Sequence, residues 1–117
     1  MQINEISYKD ARPIDGYGPG FFRIGGEALE GPLIVTASTV LPWGGYSDTS
    51  TALSISDDID FVLVGTGEAM APVNAKFRSA LENAGIGVEP MATQSACRTF
   101  NVLLAEGRRV AAALLPI

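Results

Sequence analysis

Cys97, Arg98, Asn101, Glu106 and Arg108 lie within twelve consecutive positions and bring together the chain's single thiol, a carboxamide, a carboxylate and two guanidiniums. A cysteine near a helix start and beside an arginine has a lowered pKa and reacts as a thiolate. Arginines flanking an amide would instead clamp a carboxylate ligand. Against nucleophilic catalysis stands the missing equipment: the chain has no histidine and no second cysteine, and free cysteine is among the most buried residue types. A packed, inert Cys97 is the better reading. At helical spacing Cys97 and Asn101 share one side, while Arg98, Val102 and Glu106 share another, with Arg98 and Glu106 two turns apart. Arg98 near a helix start is opposed by the helix dipole. It is therefore expected to be fixed by Glu106, by Glu68 or by backbone carbonyls, with Asn101 bridging to a glycine loop. A structural polar network is the leading account of this cluster, and a carboxylate clamp the second.

That glycine loop, Gly65-Thr66-Gly67, follows an apolar run and precedes a helical pattern. Such loops cradle anions when glycine lets backbone N–H groups approach and a helix start adds positive potential. The full dinucleotide fingerprint and the P-loop Lys-Ser/Thr are both missing, and Glu68 would repel a phosphate. A tight turn needing positive φ is the simpler reading.

Composition narrows the classes. The 117 residues suit one α/β domain covering 1–117. Hydrophobic residues make up 47% of the chain, and the mean hydropathy of +0.24 excludes a disordered polymer. Only 18% of residues are charged, below the usual quarter or so, which leaves apolar surface for a partner. A net charge of −5 argues against a nucleic-acid face. One cysteine makes no internal disulfide, and without histidine a metal site would need carboxylates and one thiolate, so neither metal nor cofactor is expected. No apolar run reaches the ~20 residues of a membrane span. The opening Met1–Ile6 lacks the basic and apolar regions of a signal peptide, so a cytoplasmic location is expected.

The elements that must position these residues follow from pattern. Ile3–Tyr8 suits a short edge strand, and the Pro- and Gly-rich Asp10–Gly20 reads as a loop. Phe21–Ile24 and Glu27–Leu29 form a hairpin closed by Gly25-Gly26, a pair that supplies the positive φ angles of a primed turn. Leu33–Ala37 is a buried strand, which Pro42 and the Gly44-Gly45 pair bring to an end; Trp43 is a core lid rather than a ligand stacker. Phe61–Val64 and Val110–Leu115, apolar throughout, are interior strands covered on both faces. A helix from Pro72 to Ala84, stopped by Gly85, buries Val73, Phe77, Ala80, Leu81 and Ala84. The Ile86–Met91 segment is a strand. Thr93 caps a helix over Gln94–Glu106, stopped by Gly107, with Ala96, Phe100, Leu103 and Leu104 on its core face. The sum is a three-layer α/β sandwich around a mixed β-sheet, with a β-hairpin in the N-terminal half.

The "GTG" after an apolar strand, the run "ACRTFNVLLAEGRRVAAALLP", the early "GFFRIGGEALEGPLIV" and the "GIGVEPM" strand resemble, in that family's order, a small α/β family of obscure function. Its members include the mitochondrial complex I assembly factor three and an adipogenesis-associated domain protein. The resemblance implies a three-layer fold without assigned catalysis. It marks Gly65, Gly67, Cys97, Arg98, Asn101, Glu106 and Arg108, to which Thr66 is added here as the middle of the loop. Two functions remain in play: a non-enzymatic interaction or assembly module with a protein partner, and a small-anion binder or enzyme at the crevice between Gly65–Gly67 and Cys97–Asn101. A homo-oligomer is open in either case.

Overall fold

The protein is described by a computed structural model covering residues 6–7 and 12–117. In chain order the elements are β1 (Ile6–Ser7), β2 (Ile14–Gly18), β3 (Phe21–Ile24), β4 (Glu27–Glu30), β5 (Leu33–Val35), β6 (Thr39–Pro42), α1 (Thr49–Leu53), a 3-10 turn (Ser56–Asp58), β7 (Phe61–Gly65), α2 (Ala75–Asn83), β8 (Gly87–Met91), α3 (Thr93–Ala105) and β9 (Val110–Leu114). A six-stranded sheet has the order β1-β6-β5-β9-β7-β8, and β2-β3-β4 form a separate three-stranded sheet. β7 pairs in parallel with β8 and β9, whereas β5 pairs antiparallel with β9 and β6. The large sheet is therefore mixed.

Period-two alternation divides the core into two layers. Val62, Val64, Ala111, Ala113 and Ile34 face a cluster with Phe77 and Leu81 of α2 and Ala52 of α1. Leu63, Val110, Ala112, Leu114, Leu33 and Val35 face the other side, where Ala96, Cys97 and Phe100 of α3 meet Phe22 and Ile24 of the small sheet. Burial on both faces explains why β7 and β9 read as continuous apolar runs, and both are interior. The three-layer α/β arrangement around a mixed sheet is thus established, with the hairpin closed by Gly25 and Gly26 at φ 59° and 86°. Trp43 is buried at 4% exposure, its ring 5.4 Å from that of Phe77, and its indole N–H donates to the Asp48 carbonyl at 3.0 Å.

Several elements depart from pattern. Within the Asp10–Gly20 segment, Ile14–Gly18 is a strand, with a register shift between Ile14 and Gly16; an irregular edge strand tolerates the glycines that read as a loop. Thr39–Pro42 is also a strand, and Pro42 stands at its last position opposite Leu33, where a missing N–H costs least. α1 carried no expectation, although Asp48 accepts its Thr51 N–H at 3.1 Å. α2 starts at Ala75 rather than Pro72, because the Asn74 carboxamide accepts the Phe77 N–H and fixes the helix start there. The expected strand at Ile3–Tyr8 lies outside the described residues except for Ile6–Ser7, which pair with β6.

Candidate functional site

The parallel strands β7 and β8 and the end of β9 meet the start of α3 around one side chain. Thr93 is fully buried and does not cap its helix: the N-cap is Ala92, which has no side chain able to do so. Its hydroxyl instead donates to the Leu115 carbonyl at 2.7 Å and accepts the Gly67 N–H at 2.8 Å. The Thr93 N–H returns a bond to the Gly67 carbonyl, and the Leu115 N–H donates to Gly65. Burial without partners would make this hydroxyl costly, so its two bonds define the junction. Gly65 leaves room here, since a Cβ would lie 3.1 Å from the Thr93 Cα. Gly67 takes φ 109°, a conformation that favours glycine.

Thr66 closes the loop on itself. Its N–H donates to the Met91 carbonyl at 2.9 Å; its hydroxyl donates to the Ala69 carbonyl at 2.8 Å and accepts the Ala71 N–H at 3.0 Å. The N–H groups of Thr66 and Gly67, which an anion would need, are already donated, and α2 starts only at Ala75. Gly65-Thr66-Gly67 works as a strap across the carboxyl ends of the strands.

Cys97 packs one turn deeper, buried among the α3 cluster. Desolvation pushes its thiol up to about 11, and the neighbouring Arg98 charge only partly offsets this. At neutral pH it is a thiol.

Asn101 does not reach the Gly65–Gly67 loop. Its Oδ1 accepts the Ile14 N–H at 2.8 Å and its Nδ2 donates to the Ile14 carbonyl at 2.9 Å. The carboxamide imitates a strand's own donor and acceptor, and so ties the small sheet to α3 at the position of its irregularity. This accounts for an asparagine inside a helix.

The remaining candidates go elsewhere. Arg98 is exposed and forms no hydrogen bond or ion pair among the described residues, contrary to the expected carboxylate or carbonyl partner, because its stripe faces away from both core layers. Glu106 is exposed at the far end of α3, where its backbone N–H closes the helix. Arg108 lies over the Phe61 ring at 5.4 Å. Arg109, beside it, is exposed and forms a surface pair with Asp60 at 3.3 Å, also donating to the Asp57 carbonyl at 2.8 Å. The eight candidates, Arg109 not among them, are therefore spread along α3 from the glycine loop at its start to Arg108 beyond its end. An open cavity of about 360 Å³ at the Arg108 end is lined by Thr36, Ser38, Asp58 and Leu104. Pattern reasoning missed the junction role of Thr93, because a threonine at a helix start reads in sequence as a cap. Among the described residues, no three His, Cys, Asp or Glu side chains gather as metal ligands, and no helix is long and apolar enough to cross a membrane.

Comparison with known proteins adds a family. An uncharacterised protein of Rhodobacter capsulatus is 44% identical over 117 residues, covering 100% of this chain and 94% of that protein. The rat NADH dehydrogenase [ubiquinone] 1 alpha subcomplex assembly factor 3 is 37% identical over 99% of this chain, which spans 66% of that protein's length. Among solved structures, an outer membrane protein from Bartonella henselae superposes with TM-score 0.82 at 36% identity, covering 93% of this chain and 98% of that one. A Mth938-like domain of Bordetella pertussis superposes with TM-score 0.75 at 25% identity, covering 99% and 92%. A family profile matches residues 14–115, from the strand held by Asn101 to the carbonyl held by Thr93. The chain belongs to the protein family of unknown function DUF498/DUF598.

Proposed function

We propose that this chain is a non-catalytic protein-interaction module that assists assembly of a multisubunit respiratory enzyme of the NADH dehydrogenase type. The observation that carries this reading is the 37% identity running through 99% of the chain to an assembly factor. A similarity of that extent includes the whole three-layer unit rather than one motif. The chemistry of the site agrees with it. The one thiol is buried and protonated, the glycine loop spends its donors internally, and Asn101 is occupied by a backbone. These residues thus serve to hold a surface in shape. The partner is a protein, met through exposed faces that the thin charge leaves available. A tagged copy expressed at native level should capture NADH dehydrogenase subunits during respiratory growth, above the yield of an untagged control. Capture that returns no such subunit would contradict the proposal.

A further inference from the structure

The outward stripe of α3 carries Arg98, Val102 and Glu106 at positions i, i+4 and i+8, all exposed. Val102 is 58% exposed, and it is the only exposed large hydrophobic residue lying in a helix among the described residues. Arg98 and Glu106 form no hydrogen bond or ion pair there through their side chains, while Arg78 and Arg109 each hold a carboxylate. Of the two charges, Glu106 also sits against the helix dipole, as a carboxylate at the C-cap. The fold leaves them without compensation.

We infer that this stripe is a self-complementary contact through which a second copy of the chain docks, α3 against α3 in antiparallel orientation about a two-fold axis at Val102. In such an arrangement each residue meets its symmetry counterpart in the reversed order, as a two-fold contact requires. Val102 meets Val102 on the axis. Arg98 of one copy faces Glu106 of the other, about 12 Å from Glu106 of its own helix along the axis, and the pair is formed twice. Antiparallel packing also sets the two helix dipoles head to tail, so that each charge comes near an opposite one. The contact is one helix wide and belongs to the small class, below about 1,200 Å², so the dimer is weak and concentration-dependent. This inference goes beyond the assembly reading and does not depend on it.

Sedimentation velocity on the purified full chain, over a concentration series reaching the millimolar range, tests it. The native chain should pass from monomer to dimer. Arg98→Glu and Glu106→Arg should each weaken self-association about tenfold or more, because like charges then face each other twice. Mixing these two variants should restore dimers. The carboxylate introduced in one variant then faces the guanidinium introduced in the other, and the native Glu106 of the first faces the native Arg98 of the second. Both positions are exposed, and matching thermal melts will show that the variants fold. A native chain that stays monomeric through the series overturns the inference. So does a dimer indifferent to both reversals, or a mixture that does not recover. None of these results bears on capture of respiratory subunits, which is read separately.

Discussion

A thiol held near 11 inside an α/β core has one chemical consequence and one thermodynamic one. Chemically, Cys97 should resist a neutral-pH thiol reagent in the folded protein and react at once after unfolding; fast stoichiometric labelling of the native chain would contradict its burial. Thermodynamically, the folded value lies above the 9.0 of a free thiol, so the fold favours the protonated form. That contribution is complete below about pH 9 and is lost as pH rises towards 11. Native Cys97 should therefore lose melting temperature over this alkaline window faster than Cys97→Ala, which has no thiol to ionise. Asp48 shows the opposite sign. Desolvation works to raise its pKa, yet the Thr51 and Ser50 hydroxyls and the Gly44 and Thr51 N–H groups outweigh it and hold the carboxyl below 3.8. Its contribution is present above that value and lost as pH falls through the folded one. Asp48→Ala should cost about 1–2 kcal/mol at neutral pH as a lost helix cap, a difference that shrinks in acid.

At the level of elements, Asn101 and Thr93 are two fastenings of α3. Asn101→Ala leaves the Ile14 N–H and carbonyl without their partners and should cost about 1–3 kcal/mol. Hydrogen exchange should quicken in β2 ahead of β7 and β9, since the small sheet loosens first; uniform protection would deny Asn101 this role. Gly65→Ala brings a Cβ to 2.9 Å from the Thr93 hydroxyl and 3.0 Å from Leu114, and overpacking of this kind costs about 1–3 kcal/mol. The interior strands were readable because burial on both faces writes an unbroken apolar run, and the hairpin because Gly25-Gly26 names its turn. Ile14–Gly18 was not readable: its glycines and its bulge carry no alternation, and beside its pairing with β3 it is held by an amide 87 residues away. The site was legible in residue type alone. The sequence placed Cys97, Arg98 and Asn101 on one helix correctly, but direction around that helix decides which meets core, strand or solvent. Thr93 misled because a threonine at a helix start has two uses, capping and bridging, and only the closeness of β7 and β9 selects the second.

At the scale of the molecule, an acidic chain of net charge −5 presents a shape held by internal bonds and a thinly charged exterior. The family includes proteins named as NADH dehydrogenase assembly factors, and the proposed assembly role asks that shape, rather than any reacting group, be what is used. Two substitutions separate these possibilities within one experiment. Cys97→Ala removes the one thiol while leaving a side chain that fits a buried site, and Asn101→Ala releases the small sheet. If shape is what matters, Cys97→Ala should retain function and Asn101→Ala should lose it at temperatures where its fold is loosened. The most direct measurement is the amount of fully assembled NADH dehydrogenase, read by native gel and NADH oxidation in membranes, in cells deleted for this chain and in cells given it back. The account predicts loss of the assembled enzyme on deletion, accumulation of partial complexes, and recovery with the native chain and with Cys97→Ala. An undiminished assembled enzyme after deletion, or recovery that requires the Cys97 thiol, would contradict it.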